Sequence, residues 1–141
     1  MSATPATLDP MHATGTFDVT SWETLATDER EGAVLARNRL TKTFSGDLTG
    51  ASVTDLLTVA TPAGPAAYAG LEHLHGVLHG RQGTFVLQHN GGAEDGKPWL
   101  TWIIVPTSGT GALTGIHGQG QIDVDDQGKH TFTLEYQLPG M

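Results

Sequence analysis

Residues Tyr68 to Asn90 read Y-A-G-L-E-H-L-H-G-V-L-H-G-R-Q-G-T-F-V-L-Q-H-N. The stretch reads as two strands joined by a tight Gly-rich turn around Gly80-Arg81-Gln82-Gly83, a β-hairpin. Side chains alternate in a strand, so Tyr68, Gly70, Glu72, Leu74, Gly76 and Leu78 share one face. That face is apolar apart from Glu72. A carboxylate on a core-like face must be solvated, paired or used. The opposite face carries His73, His75 and His79, and reads as a solvated outer surface.

Similar patterns recur on both sides. His12 to Trp22 alternates, with Phe17 and Val19 on one face. Glu23 to Gly32 is polar and acidic and holds no apolar period, so it reads as a loop with at most one helical turn. Ala33 to Ser45 is a strand with Leu40, Lys42 and Phe44 on one face. Ser45 to Gly50 is a turn by composition. Ala51 to Thr61 is a strand with Val53, Leu57 and Val59 in step. Gly91 to Pro98 reads as a polar loop. Trp99 to Val105 is nearly all apolar, which predicts a strand covered on both faces. Pro106 to Gly111 is a tight turn, Ala112 to Val124 a strand, and Thr131 to Leu138 the closing strand, with Phe132, Leu134, Tyr136 and Leu138 on one face. No amphipathic helix of useful length competes. About eight strands with short connections predict an all-β antiparallel sandwich or closed barrel. An eight-stranded barrel is either filled by its own side chains or holds one small ligand.

The chain has 141 residues and suits one domain, residues 12–141, behind a flexible tail over residues 1–11. A net charge of −8 and only seven Lys and Arg leave no basic stripe, which argues against a nucleic-acid or anionic-membrane partner. Cysteine is absent, so there is no disulfide, thiol nucleophile or Cys-ligated metal. The first eleven residues do not resemble a signal peptide and no apolar segment approaches a membrane span, so a cytoplasmic location is expected.

The segment Val105-Pro106-Thr107-Ser108-Gly109-Thr110-Gly111-Ala112-Leu113-Thr114-Gly115-Ile116-His117-Gly118-Gln119-Gly120 resembles a widespread bacterial family of small uncharacterised proteins with the allene oxide cyclase-like barrel fold. Gly15-Thr16-Phe17, Thr41 to Leu48, Gly70-Leu71-Glu72, Gly80 to His89 and Leu134-Glu135-Tyr136 are similar to its pattern too, so the resemblance spans most of the chain. It implies a closed eight-stranded antiparallel barrel of allene oxide cyclase-like type. Allene oxide cyclases and plant dirigent proteins, which share the Gly-rich segment, hold a small apolar molecule in the barrel and steer its cyclisation or coupling. The chain departs from the family at Thr107, where Gly is commoner, at Leu56, where a bulky aromatic is commoner, and at Thr58, where Met is commoner. A reshaped pocket follows if those positions line the interior.

Several residues qualify for chemistry. Glu72 leads: burial is expected to raise its pKa and make it an acid or base, the alternative being a carboxylate paired with Lys42 or Arg37. Lys42 is its partner, a group that polarises a substrate oxygen, or a side chain snorkelling from an outer face. His89 alternates with Phe85 and Leu87 and qualifies as a proton shuttle or a strand-end cap. Tyr136 is expected to join Glu72 in orienting a ligand. Phe44, Tyr68, Leu74, Phe85, Trp102 and Leu56 qualify as pocket wall or plain core, and Gln88, facing the other way, as a ligand or edge contact. His73-Leu74-His75 lacks the further ligands of a metal site, and neither a metal nor another cofactor is expected. The sequence thus points to a cofactor-independent cyclase or isomerase for a small, largely apolar, natural-product-like substrate. Two alternatives stay open: a non-catalytic binder or carrier of such a molecule, and a filled barrel acting as a structural module. A homo-oligomer is expected.

Overall fold

The computed structural model describes residues 9–139. Most of the expected N-terminal tail lies outside the described residues. Eight strands run in chain order: β1 (Met11–Arg30), β2 (Ala33–Gly46), β3 (Leu48–Thr61), β4 (Gly64–Leu78), β5 (Arg81–Glu94), β6 (Lys97–Ile104), β7 (His117–Val124) and β8 (His130–Gln137). Each pairs antiparallel with its neighbours, and β1 pairs β8, so the sheet is a closed eight-stranded barrel. The sole helical element among the described residues is a 3-10 turn at Gly111–Leu113.

The opening stretch is the β4–β5 hairpin. Its turn is His79-Gly80, with φ of 46° and 82°, and Arg81 to Gly83 already belong to β5. Two consecutive positive φ values give the turn whose twist matches that of the strands it joins. Asp95-Gly96, with φ of 51° and 76°, repeats the device between β5 and β6.

Three expected loops are strand instead. Glu23 to Arg30 continues β1, and Gly91 to Glu94 continues β5. Glu23 to Arg30 is exposed throughout, and the covered Gly91 and Gly92 carry no side chain, so no apolar period marks either segment. Gly46 to Leu48 is a one-residue connection rather than a six-residue turn. In the opposite sense, β7 starts at His117 rather than Ala112, and Ala112 and Leu113 belong to the 3-10 turn Gly111–Leu113.

Two facial assignments are also corrected. β6 is not covered on both sides: Trp102 and Ile104 are buried, whereas Trp99 is 50% and Ile103 44% exposed. In β3, Val53 and Leu57 face outward, and the inner face is Leu48, Ser52, Thr54 and Leu56. Hydrophobicity misleads here because the barrel interior is partly polar.

The interior is asymmetric along its axis. At one end Leu48, Leu78, Leu113, Ile116 and Leu138 are at most 3% exposed and close the barrel. Above them pack Phe44, Leu74, Phe85, Leu87, Phe132, Leu134 and Tyr136. At the other end the strands separate. β1 pairs β8 only as far as Phe17, and β6 pairs β7 only at Trp102–Gly120 and Ile103–Gln119. The long β1 to β5 strands therefore flare beyond the core, and the barrel opens there.

Candidate functional site

A cavity of about 560 Å³ occupies the open end. Its walls are mainly apolar, with Val19, Trp22, Leu40, Leu56, Ala60 and Leu100 among them, and Lys42 and His89 also line it. Pockets of this size and character suit small molecules. Tyr68 forms part of the wall and lies over Gly91, where an added Cβ would come 2.2 Å from its ring. Glycine at 91 thus makes room for the Tyr68 ring.

Glu72 lies at the base of this arrangement, 0% exposed. Four side chains from four other strands donate to its carboxylate or have the geometry to do so. Lys42 Nζ on β2 and Trp102 Nε1 on β6 each lie 3.3 Å from Oε1. His89 Nε2 on β5 lies 2.5 Å from Oε1, and Ser52 Oγ on β3 lies 2.5 Å from Oε2. The barrel's curvature brings them together, since register alone makes Glu72 a neighbour of Thr54 and Leu87.

Burial by itself raises the pKa of Glu72, but the His89 hydrogen bond, the Lys42 and His89 charges and the Ser52 hydrogen bond outweigh it, and the value falls from 4.5 to about 2. The expectation of a raised pKa is thereby overturned. Desolvation is present as expected; the donors are what sequence patterning does not reveal. An ionised Glu72 accepts from His89, so Nε2 carries the proton of that bond. His89 Nδ1 makes no hydrogen bond among the described residues. Lys42 Nζ also stands 4.8 Å from the centroid of the Phe17 ring, a cation–π contact.

The other candidates divide by location. Leu56 and Tyr68 line the cavity with Lys42 and His89. Leu56 and Thr58, two of the positions where the sequence departs from the family it resembles, are both in the wall. Phe44, Leu74 and Phe85 belong to the packed core. Trp102 is buried and reaches Glu72 rather than the cavity wall. Gln88 is on the outer surface. Tyr136 does not meet Glu72: its hydroxyl lies 2.5 Å from His79 Nδ1 near the closed end. His79 is therefore not a member of a solvated histidine face, although His73 and His75 are exposed. Among the described residues no group of three or more His, Cys, Asp or Glu is placed to hold a metal ion.

Ser52 and His130 were not singled out by sequence. Ser52 anchors Glu72, and His130 stacks on Phe17 at 4.8 Å and lines the cavity. Cross-strand register, which sets His130 opposite Phe17, was the missing signal for His130, and barrel curvature was the missing signal for Ser52, whose register partner on β4 is Leu74. Thr54 Oγ1 is buried without a hydrogen-bond partner.

The family model DUF3224, described as a protein of unknown function, matches residues 13–136. A crystal structure of a protein of unknown function from the DUF3224 family of Shewanella oneidensis MR-1 is similar, with 36% identity and a TM-score of 0.81. The match covers 92% of this chain and 98% of that one. No curated protein matches. Among the described residues no helix is long and apolar enough to cross a membrane.

Proposed function

The chain belongs to the DUF3224 family, and on that premise we propose that its barrel binds one small, largely apolar molecule with an oxygen-bearing end turned toward Lys42 and His89. The family's function is unknown, so the reading rests on the site. The observation that carries it is an open, mainly apolar cavity that also presents two polar groups, each tied to one buried carboxylate. Apolar walls supply affinity and a few placed polar groups supply orientation. The test is a fluorescence titration with Nile red, a neutral apolar dye. The dye is expected to bind the wild type and to lose at least tenfold in affinity for Ala60→Trp, which fills the cavity. No binding, or equal binding to a folded Ala60→Trp, removes the reading.

A second reading, cofactor-independent isomerisation or cyclisation, is favoured by the His89–Glu72 pair. A carboxylate that holds one imidazole nitrogen leaves the other to move a proton. Lys42 is near enough to the same group to stabilise a developing oxyanion. Glu72 then acts as a positioning residue. The similarity to the allene oxide cyclase-like barrels, whose members steer ring closure, points the same way by analogy. The test follows α-proton exchange of 2-undecanone in D2O by NMR. Exchange above the buffer rate that disappears in His89→Gln is expected of an enzyme; a ketone returned unexchanged favours a carrier.

A further inference from the structure

The two ring nitrogens of His89 have different surroundings. Nε2 lies 2.5 Å from Glu72 Oε1, and the same oxygen lies 3.3 Å from Lys42 Nζ and from Trp102 Nε1. An ammonium and an indole N–H only donate, so Oε1 acts as an acceptor, and the hydrogen of the third contact belongs to His89 Nε2. Nδ1 of the neutral ring is then a bare acceptor. It makes no hydrogen bond, yet the sole buried, unpartnered side-chain nitrogen or oxygen among the described residues is Thr54 Oγ1. Nδ1 is therefore not sealed in the core, and it opens toward the cavity that His89 lines.

Lys42 lines the same cavity and reaches the same carboxylate oxygen. Of its three N–H groups Glu72 takes one and the Phe17 ring faces another, so a donor remains for a ligand. The cavity base thus offers one acceptor and one donor side by side. It carries no net charge, because Lys42 and Glu72 cancel while almost wholly removed from water, at 5% and 0% exposed.

Resting on the binding reading above, we propose that the ligand is an uncharged apolar molecule ending in a hydroxyl, whose O–H donates to His89 Nδ1 and whose oxygen accepts from Lys42 Nζ. A hydroxyl both donates and accepts, so it satisfies the two groups at once. An ether or ketone oxygen only accepts, and it leaves its lone pairs facing that of Nδ1. A carboxylate does the same and adds a charge that nothing at the base compensates. An ammonium donates to Nδ1 but sets a second cation against Lys42. The Glu72–His89 bond is the source of the preference, since it fixes which nitrogen is bare. A site built to bond a hydroxyl rejects the analogue that lacks it, because its own polar group is left unpaired.

The experiment measures displacement of Nile red from the whole protein at pH 8 by nonan-1-ol, by its isomer methyl octyl ether and by nonanoate. The alcohol is expected to bind about tenfold more tightly than either. An unspecific apolar cavity would instead prefer the ether, the more apolar isomer. An ether or nonanoate that binds as tightly as the alcohol overturns the proposal. So does dye binding with no displacement by the alcohol, which leaves the cavity reading standing; absence of dye binding removes both. In His89→Phe the alcohol is expected to lose its advantage while the ether keeps its affinity. An advantage that survives there belongs to Thr58, Tyr68 or His130, the other polar groups of the wall, and also overturns the proposal. Imidazole nitrogen NMR of the wild type decides without a variant. A bare His89 Nδ1 whose resonance moves with nonan-1-ol and not with the ether is expected, and a proton on Nδ1 in the free protein overturns the assignment.

Discussion

Lys42 Nζ and Glu72 Oε1 lie 3.3 Å apart although β3 runs between their strands. Removing one member of a buried pair leaves the other uncompensated, which costs about 3–5 kcal/mol. Glu72→Gln is therefore expected to lose about that much in urea denaturation. A Lys42→Met/Glu72→Leu double variant, which leaves no stranded charge, is expected to lose less than Glu72→Gln alone. A double variant that is the less stable of the two contradicts the pairing as the source of the effect.

The same carboxylate predicts acid sensitivity. Its folded pKa of about 2 lies below the ordinary 4.5, so the unfolded chain takes up the proton first as acid is added. The stabilisation is complete above 4.5 and is lost as pH falls through about 2. The difference corresponds to about 3 kcal/mol. Thermal melts between pH 5 and 2 are expected to fall more steeply for wild type than for Glu72→Gln. Parallel curves would show that Glu72 does not titrate in that window.

Alternation put Glu72 on a core-like face and His89 in step with Phe85 and Leu87, and left Lys42 between an inner and an outer reading; the structure buries all three. The barrel too was legible, from strand spacing and from the family resemblance. Their convergence was not: Ser52, Lys42, Glu72, His89 and Trp102 come from five strands, and barrel curvature rather than any one periodicity joins them. The hairpin arms were missed for a related reason. Glu23 to Arg30 is strand through its pairing with β2, with side chains exposed throughout, so burial never imprints a pattern on the sequence.

Thr54 is 1% exposed, and its hydroxyl has no partner. Thr54→Val keeps the shape and removes the unsatisfied group, so stability is expected to stay level or rise by about 1 kcal/mol. A loss of more than about 1 kcal/mol in urea denaturation would mean that the hydroxyl is bonded, for instance to an internal water.

Thr107 holds φ at 67°, where a β-branched residue is strained. This position is among those where the resembled family more often has glycine. Thr107→Gly is expected to raise stability by about 1 kcal/mol, with Thr107→Ala gaining less. A melting temperature lowered in Thr107→Gly would show that the Thr107 hydroxyl bond to the Pro106 carbonyl matters more than the backbone strain.

The seam between β1 and β8 joins Met11–Phe17 to His130–Tyr136. Closure of the cylinder is thus the most sequence-distant pairing in the sheet and carries a large loop-closure entropy. On the ribosome, β1 has a first neighbour as soon as β2 emerges but waits for β8 to gain its second. Until then the nascent chain is a curled ribbon with an unpaired border, the form most exposed to self-association. Truncation before β8 would yield an open sheet with two raw edges rather than a smaller vessel.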